Sequence, residues 1–187
     1  MKNPAIFFDS FQMPRFDIAA GDLCLTGDLT MPSGTVYKKG KKYFTYPEII
    51  EILSYANCRV LKRGETSRYL LDLPTDEECK MIIEKFAHRD GNCHSYHLAT
   101  SLGLGFYGTI GFSESIEDYN ESPQDFIYSQ AICYNVTGGY WCKGTGEFAG
   151  QASVLRLNSC GEPTISKIVF DNGARIGESV RLIRRPF

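Results

Sequence analysis

Leu71-Asp72-Leu73-Pro74-Thr75-Asp76-Glu77-Glu78 joins a short apolar strand to a capped helix. Thr75 followed three residues later by Glu78 is a capping box: the threonine oxygen takes the Glu78 N–H, and the carboxylate reaches back to the Thr75 N–H. Pro74 stiffens the approach to the helix. Cys79, Ile82, Ile83, Phe86 and Ala87 then recur at helical spacing, which predicts a helix with one apolar face running to about residue 88. Working outward toward the N-terminus, Thr45 and Glu48 make a second capping box. Pro47 is tolerated in the first turn, and Ile49, Ile50, Leu53 and Ala56 form the buried stripe of a short helix. A strand is expected near residues 59–62, before the opening stretch.

Toward the C-terminus, glycines and aromatics dominate from Asp90-Gly91-Asn92 up to residue 150, the pattern of a long loop region. Strands are expected near 126–134, 152–158, 164–170 and 179–184, with breaks at Gly161, Pro163 and Asn172-Gly173. Residues 1–34 differ from the rest. Scattered prolines and aromatics give no sustained period, so this segment is expected to be an irregular arm with one strand at 22–29. Ile6, Phe7, Phe8, Phe11, Met13 and Phe16 would each cost roughly 1.5–3 kcal/mol to leave in water. Two covers are open for them: the arm's own domain, or a neighbouring subunit on which a docking arm assembles.

Three segments carry a resemblance. They are Leu73-Pro74-Thr75 with Glu78, then Gly139-Tyr140-Trp141, then Gly177-Glu178-Ser179-Val180-Arg181-Leu182-Ile183-Arg184. In this order they resemble the FISUMP family of C-type-lectin-like domains, whose members pair W-R-L-P-T-x-x-E-W with a later Y-W-S-S-T and a closing G-x-S-V-R-L-V-R. The variable proteins of diversity-generating retroelements are similar. The match covers residues 43–187. It departs from the pattern where Tyr69-Leu70-Leu71-Asp72 replaces Trp-Arg, where Cys79 replaces the second tryptophan, and where Cys142-Lys143-Gly144-Thr145 replaces Ser-Ser-Thr. The resemblance implies an α+β, C-type-lectin-like domain at 35–187, with two helices and a twisted antiparallel sheet, preceded by the arm at 1–34.

Composition fits a folded chain: 187 residues, 43% of them hydrophobic, suffice for a core. A formal charge of −2 sets up no global field toward nucleic acid or an anionic membrane, and Lys38, Lys39, Lys41 and Lys42 read as a solvated turn. No apolar run approaches the roughly 18 residues of a membrane span. The first apolar stretch is broken at Asp9, before a secretory h-region is complete, so synthesis and folding in a cytoplasm are expected. Seven cysteines without a C-x-x-C pair suit that setting as buried apolar residues better than as a disulfide framework.

Four residues invite a zinc reading: His88, Cys93, His94 and His97. No second cysteine pair or His-x3-His pattern supports it, and a histidine at a helix C-terminus has its own electrostatic reason. Gly103-Leu104-Gly105-Phe106-Tyr107-Gly108 spells G-x-G-x-x-G, but no amphipathic helix opens within it, so it reads as tight turns. Glu162-Pro163-Thr164 lacks the oxygen set of a lectin calcium cage. No cofactor is expected. The similar fold of formylglycine-generating enzymes raises a catalytic alternative, for which Cys133, Cys142 and Cys160 are candidates by region only.

A display surface remains. Trp141, Lys143, Thr145, Glu147, Phe148, Gln151, Asn172 and Arg175 mix aromatic anchors with adaptable polar groups, as paratopes do. Trp141 has a second reading, as the plug of the core. The function expected is therefore non-catalytic binding by a homo-oligomeric bacteriophage virion component: a head fibre, capsid decoration or tail receptor-binding protein. Its arm would contact other virion proteins, and its display surface a host-surface protein or glycan. A bacterial cell-surface ligand-binding domain is the alternative within binding.

Overall fold

The computed structural model describes residues 10–62, 69–104, 110–111, 136–158, 161–169, 171–174 and 176–186. These form a mixed α+β arrangement of three helices and several small antiparallel sheets. The central layer is the three-stranded sheet β11-β10-β9, in which β9 (Val136–Lys143) and β11 (Thr164–Lys167) flank β10 (Ala152–Asn158). Period-2 alternation sends the side chains of β9 and β10 to opposite faces. Here both faces are dry. Trp141, Ala152 and Val154 enter one core, while Tyr140, Cys142, Leu155 and Leu157 enter the other.

Helix α1 (Tyr46–Lys62) closes the first core with Tyr46, Ile49, Ile52 and Leu53, which meet Phe44, Leu73, Val180 and Leu182. Helices α2 (Asp76–Phe86) and α3 (Ser95–Leu102) close the second, with Cys79 and Ile82 from one and Leu98, Ala99 and Leu102 from the other. Both capping boxes form. Thr75 N donates to Glu78 Oε2 at 2.8 Å and Glu78 N to Thr75 Oγ1 at 3.1 Å; at Thr45 and Glu48 the distances are 2.8 and 3.4 Å. Replacing Thr75 by alanine is expected to cost about 1 kcal/mol. A matched urea melt checks this, and an unchanged midpoint would contradict the cap's role.

A second sheet has the order β1-β2-β13-β5, formed by β1 (Phe11–Gln12), β2 (Asp17–Ile18), β13 (Ile183–Pro186) and β5 (Tyr69–Asp72). Strand β13 pairs antiparallel with both neighbours, Ile183 opposite Ile18 on one side and Asp72 on the other. Three two-stranded ladders complete the described residues: β3 (Leu29–Thr30) with β4 (Val36–Tyr37), β6 (His88–Arg89) with β7 (Asn92–Cys93), and β8 (Ile110–Gly111) with β12 (Ile176–Gly177).

The described residues hold three helices, not two: α3 lies inside the expected loop region, N-capped by His94 and ended by Gly103 in the left-handed conformation. Residues 59–62 continue α1 rather than starting a strand, since a helix already nucleated propagates at one added bond per residue. No strand spans 22–29. Leu23 and Leu25 are buried in irregular chain, with their N–H groups on Val180 O at 2.8 Å and Lys41 O at 3.0 Å.

The described part of the expected docking arm is not free either. Phe16 and Ile18 are buried in the second core, Phe11 and Met13 pack against it, and Leu23, Leu25 and Met31 belong to the first. Of the two covers open from the sequence, these side chains use their own domain. Ile6, Phe7 and Phe8 lie outside the described residues, as does the strand expected at 126–134.

Candidate functional site

The closing segment acts as a clamp of three arginines. Arg181, buried, donates from Nε to Asp22 Oδ1 at 2.8 Å, from Nη1 to the carbonyls of Ala19 and Leu102, and from Nη2 to that of Gly103, each at 3.0 Å. Burial pushes the Asp22 carboxyl above its usual range, against the opposing pull of that guanidinium. Arg184 pairs with Asp17 at 2.8 Å. Arg185 joins Asp72 at 2.5 Å and Glu78 at 2.6 Å, so the capping-box carboxylate also anchors β13. Beside them Glu178 is fully buried, with Arg156 Nη1 at 3.1 Å. A Cβ at Gly139 would overlap that carboxylate, which explains glycine in Gly139-Tyr140-Trp141.

Trp141, one reading of which placed it on the display surface, is instead fully buried. Its Nε1 donates to Phe44 O at 2.5 Å, and its ring meets Tyr46 edge-on at 5.5 Å. Gly173, at φ +73°, lies against the indole so closely that a Cβ there would come within 2.6 Å of it. A large apolar ring with one donor is satisfied best inside, beside a carbonyl.

Above this plug lies an open groove of about 990 Å³. One wall is the outer side of α1, where Pro47, Ile50, Ser54 and Cys58 follow helical spacing. The Met31-Pro32-Ser33 turn forms the other, and Lys143, Gly150 and Asn172 close the end. Ser33, Glu51, Lys143 and Asn172 within it are engaged inside the chain. Glu51 accepts from Ser33 Oγ at 3.0 Å and from Tyr37 OH at 2.9 Å. Lys143 is salt-bridged to Asp72, and Asn172 Oδ1 accepts from Ala152 N at 2.6 Å. Tyr46 stays protonated at neutral pH, its phenol pushed up to about 12 by burial and, less, by Asp72 and Cys142.

Compared with protein-family models, with curated proteins and with solved structures, the chain matches none.

The residues expected to face a ligand therefore divide. Lys143 and Asn172 line the groove but are tied down, and Thr145 donates to Asp76 Oδ1 at 2.6 Å. Glu147 and Gln151 are exposed on the adjoining loop, where the Phe148 ring carries Lys167 Nζ 3.1 Å from its centroid. Arg175 lies outside the described residues. The α1 wall was missed. Ile50, assigned to the buried stripe, is only partly buried and lines the groove with Pro47, Ser54 and Tyr55.

The histidines take local roles. His88 stands exposed opposite Cys93 in the β6–β7 ladder. His94 Nδ1 caps α3 by accepting from Tyr96 N at 3.1 Å, and the His97 ring lies 5.9 Å from that of His94. Among the described residues no group of three or more His, Cys, Asp or Glu is placed to share a metal ion. None of the described helices is long and apolar enough to cross a membrane.

Proposed function

We propose that this chain is a non-catalytic binding domain of the C-type-lectin-like kind, displayed on a bacteriophage particle, and that it grips a protein of the host surface through the groove beside α1. The fold assignment is supported by the meeting of the three resembling segments. Lys143 N bonds Pro74 O at 2.9 Å, Trp141 N bonds Ser179 O at 3.1 Å, and Leu73, Trp141 and Val180 share one core. The groove carries the functional reading, because it is large, open and bordered by the loop at 144–151. Small-molecule and peptide sites are concave and mostly apolar, with a few polar groups. Since Glu51, Lys143 and Asn172 are already engaged, the groove favours apolar anchors of a protein over the hydroxyls of a glycan.

Ser54 is exposed on the α1 wall, so Ser54→Trp should plug the groove and leave stability within about ±0.5 kcal/mol. The test pans a random peptide-display library against the parent chain. Selected peptides are expected to carry apolar or aromatic anchors and to lose about tenfold or more in affinity for Ser54→Trp. Peptides that bind both chains equally, while Glu147→Ala or Gln151→Ala abolishes them, would move the site onto the loop.

A further inference from the structure

Two thiols meet in the second core. Cys79 sits in the first turns of α2, and Cys142 on β9; both are fully buried, and both belong to the cluster that α2 and α3 close over the sheet. Their side chains are hydrogen-bonded to each other. The backbones are held in register around them: Thr75 bridges Lys143 in parallel, and Lys143 N donates to Pro74 O at 2.9 Å. Cys79 also lines a void of about 20 Å³, with Ile18, Ile82, Leu102 and Leu155 among the other lining residues.

We infer that Cys79 and Cys142 are a latent disulfide, which closes when the protein meets a disulfide oxidant and staples α2 to the central sheet. The chemistry is thiol–disulfide exchange. One thiolate attacks the sulfur of an oxidant such as glutathione disulfide, releasing one glutathione thiol. The second cysteine sulfur then displaces the other, so that the two thiol protons end on two glutathione thiols and one Sγ–Sγ bond remains. The bond is about 2 Å long and spans Cα atoms up to about 7 Å apart, a separation consistent with the Thr75–Lys143 bridge beside the pair. In the folded chain the step is slow. The mutual hydrogen bond first, then burial, holds the Cys79 thiol well above the usual range, so little thiolate is present. The pair therefore closes fastest during folding or local opening in an oxidising setting, and stays reduced in a cytoplasm. Nothing in this inference depends on the groove.

The test treats the full chain with a buffer of oxidised and reduced glutathione, both folded and during refolding from urea. Free thiols are alkylated, and the unreduced protein is digested with trypsin and chymotrypsin for mass spectrometry. A peptide joining Cys79 to Cys142 is expected in at least one arm. It should come with an upward Tm shift of about 5–10 °C, reversed by dithiothreitol, since the link closes a loop of about 60 residues in the unfolded chain. Cys142→Ser is the control that should remove both the joined peptide and the shift. Both cysteines alkylated in both arms, Cys79 joined to another cysteine, or a link that lowers Tm would each overturn the inference.

Discussion

Trp141→Ala is expected to lower stability by about 3–5 kcal/mol, the cost of emptying a fully buried aromatic site. For a chain of this size that corresponds to a fall in Tm of about 6–20 °C. Two losses combine. The indole volume vanishes between Tyr46 and Gly173, and the Phe44 carbonyl loses the Nε1–H it accepts at 2.5 Å. Trp141→Phe separates them, because it retains most of the volume and forfeits the hydrogen bond, worth about 1–3 kcal/mol when a buried acceptor is left unmet. A urea titration of the three proteins measures both. An alanine variant less than about 1 kcal/mol below the parent would mean that the ring does not plug this core.

Removal of residues 1–30 is expected to abolish folding, the opposite of what a detachable docking arm would give. Phe16, Ile18, Leu23 and Leu25 are buried, and at roughly 1.5–3 kcal/mol each their loss matches the whole stability of an ordinary domain, about 5–15 kcal/mol. The deletion also strips β2 from β13 and leaves Arg181 without Asp22 and the Ala19 carbonyl. Near-ultraviolet circular dichroism of the truncated chain should lack tertiary signal, and its urea titration should lack a cooperative transition. A sharp transition would restore the arm to the status of an appendage.

What could be read from the sequence was local. Thr75 with Glu78 and Thr45 with Glu48 announce their helices within four residues, and the alternation of 152–158 announces β10. What could not be read depends on distant partners. Strands of two residues such as β1 and β2 carry no period, and only β13 makes a sheet of them. The eight residues of α3 are too few for their spacing to stand out among glycines. The end of α1 spells Arg59-Val60-Leu61-Lys62, a strand-like run that the preceding helix overrides.

The candidate site follows the same division. Lys143 and Asn172 were legible as residues near a ligand, but their ties to Asp72 and Ala152 were not, since those partners lie far along the chain. Cys79 and Cys142 each stand where the resembling motifs have another residue. Each departure is uninformative alone, and they are seen as a pair only once α2 is laid on β9.

The position of β13 also bears on when this protein can fold. Arg184 pairs with Asp17 and Leu71, so the sheet that gathers both ends of the described chain has no centre until Ile183–Pro186 leave the ribosome. At about 5–20 residues per second, the stretch from Phe16 to Ile183 takes on the order of 10–30 s to translate. Throughout it Ile18 waits without its β13 partner, Ile183. Pairings so distant in sequence are slow to search for, on the order of milliseconds to seconds even once the chain is complete. A stop codon only a few positions before Ile183 would leave β2 and β5 without the strand that joins them into one sheet.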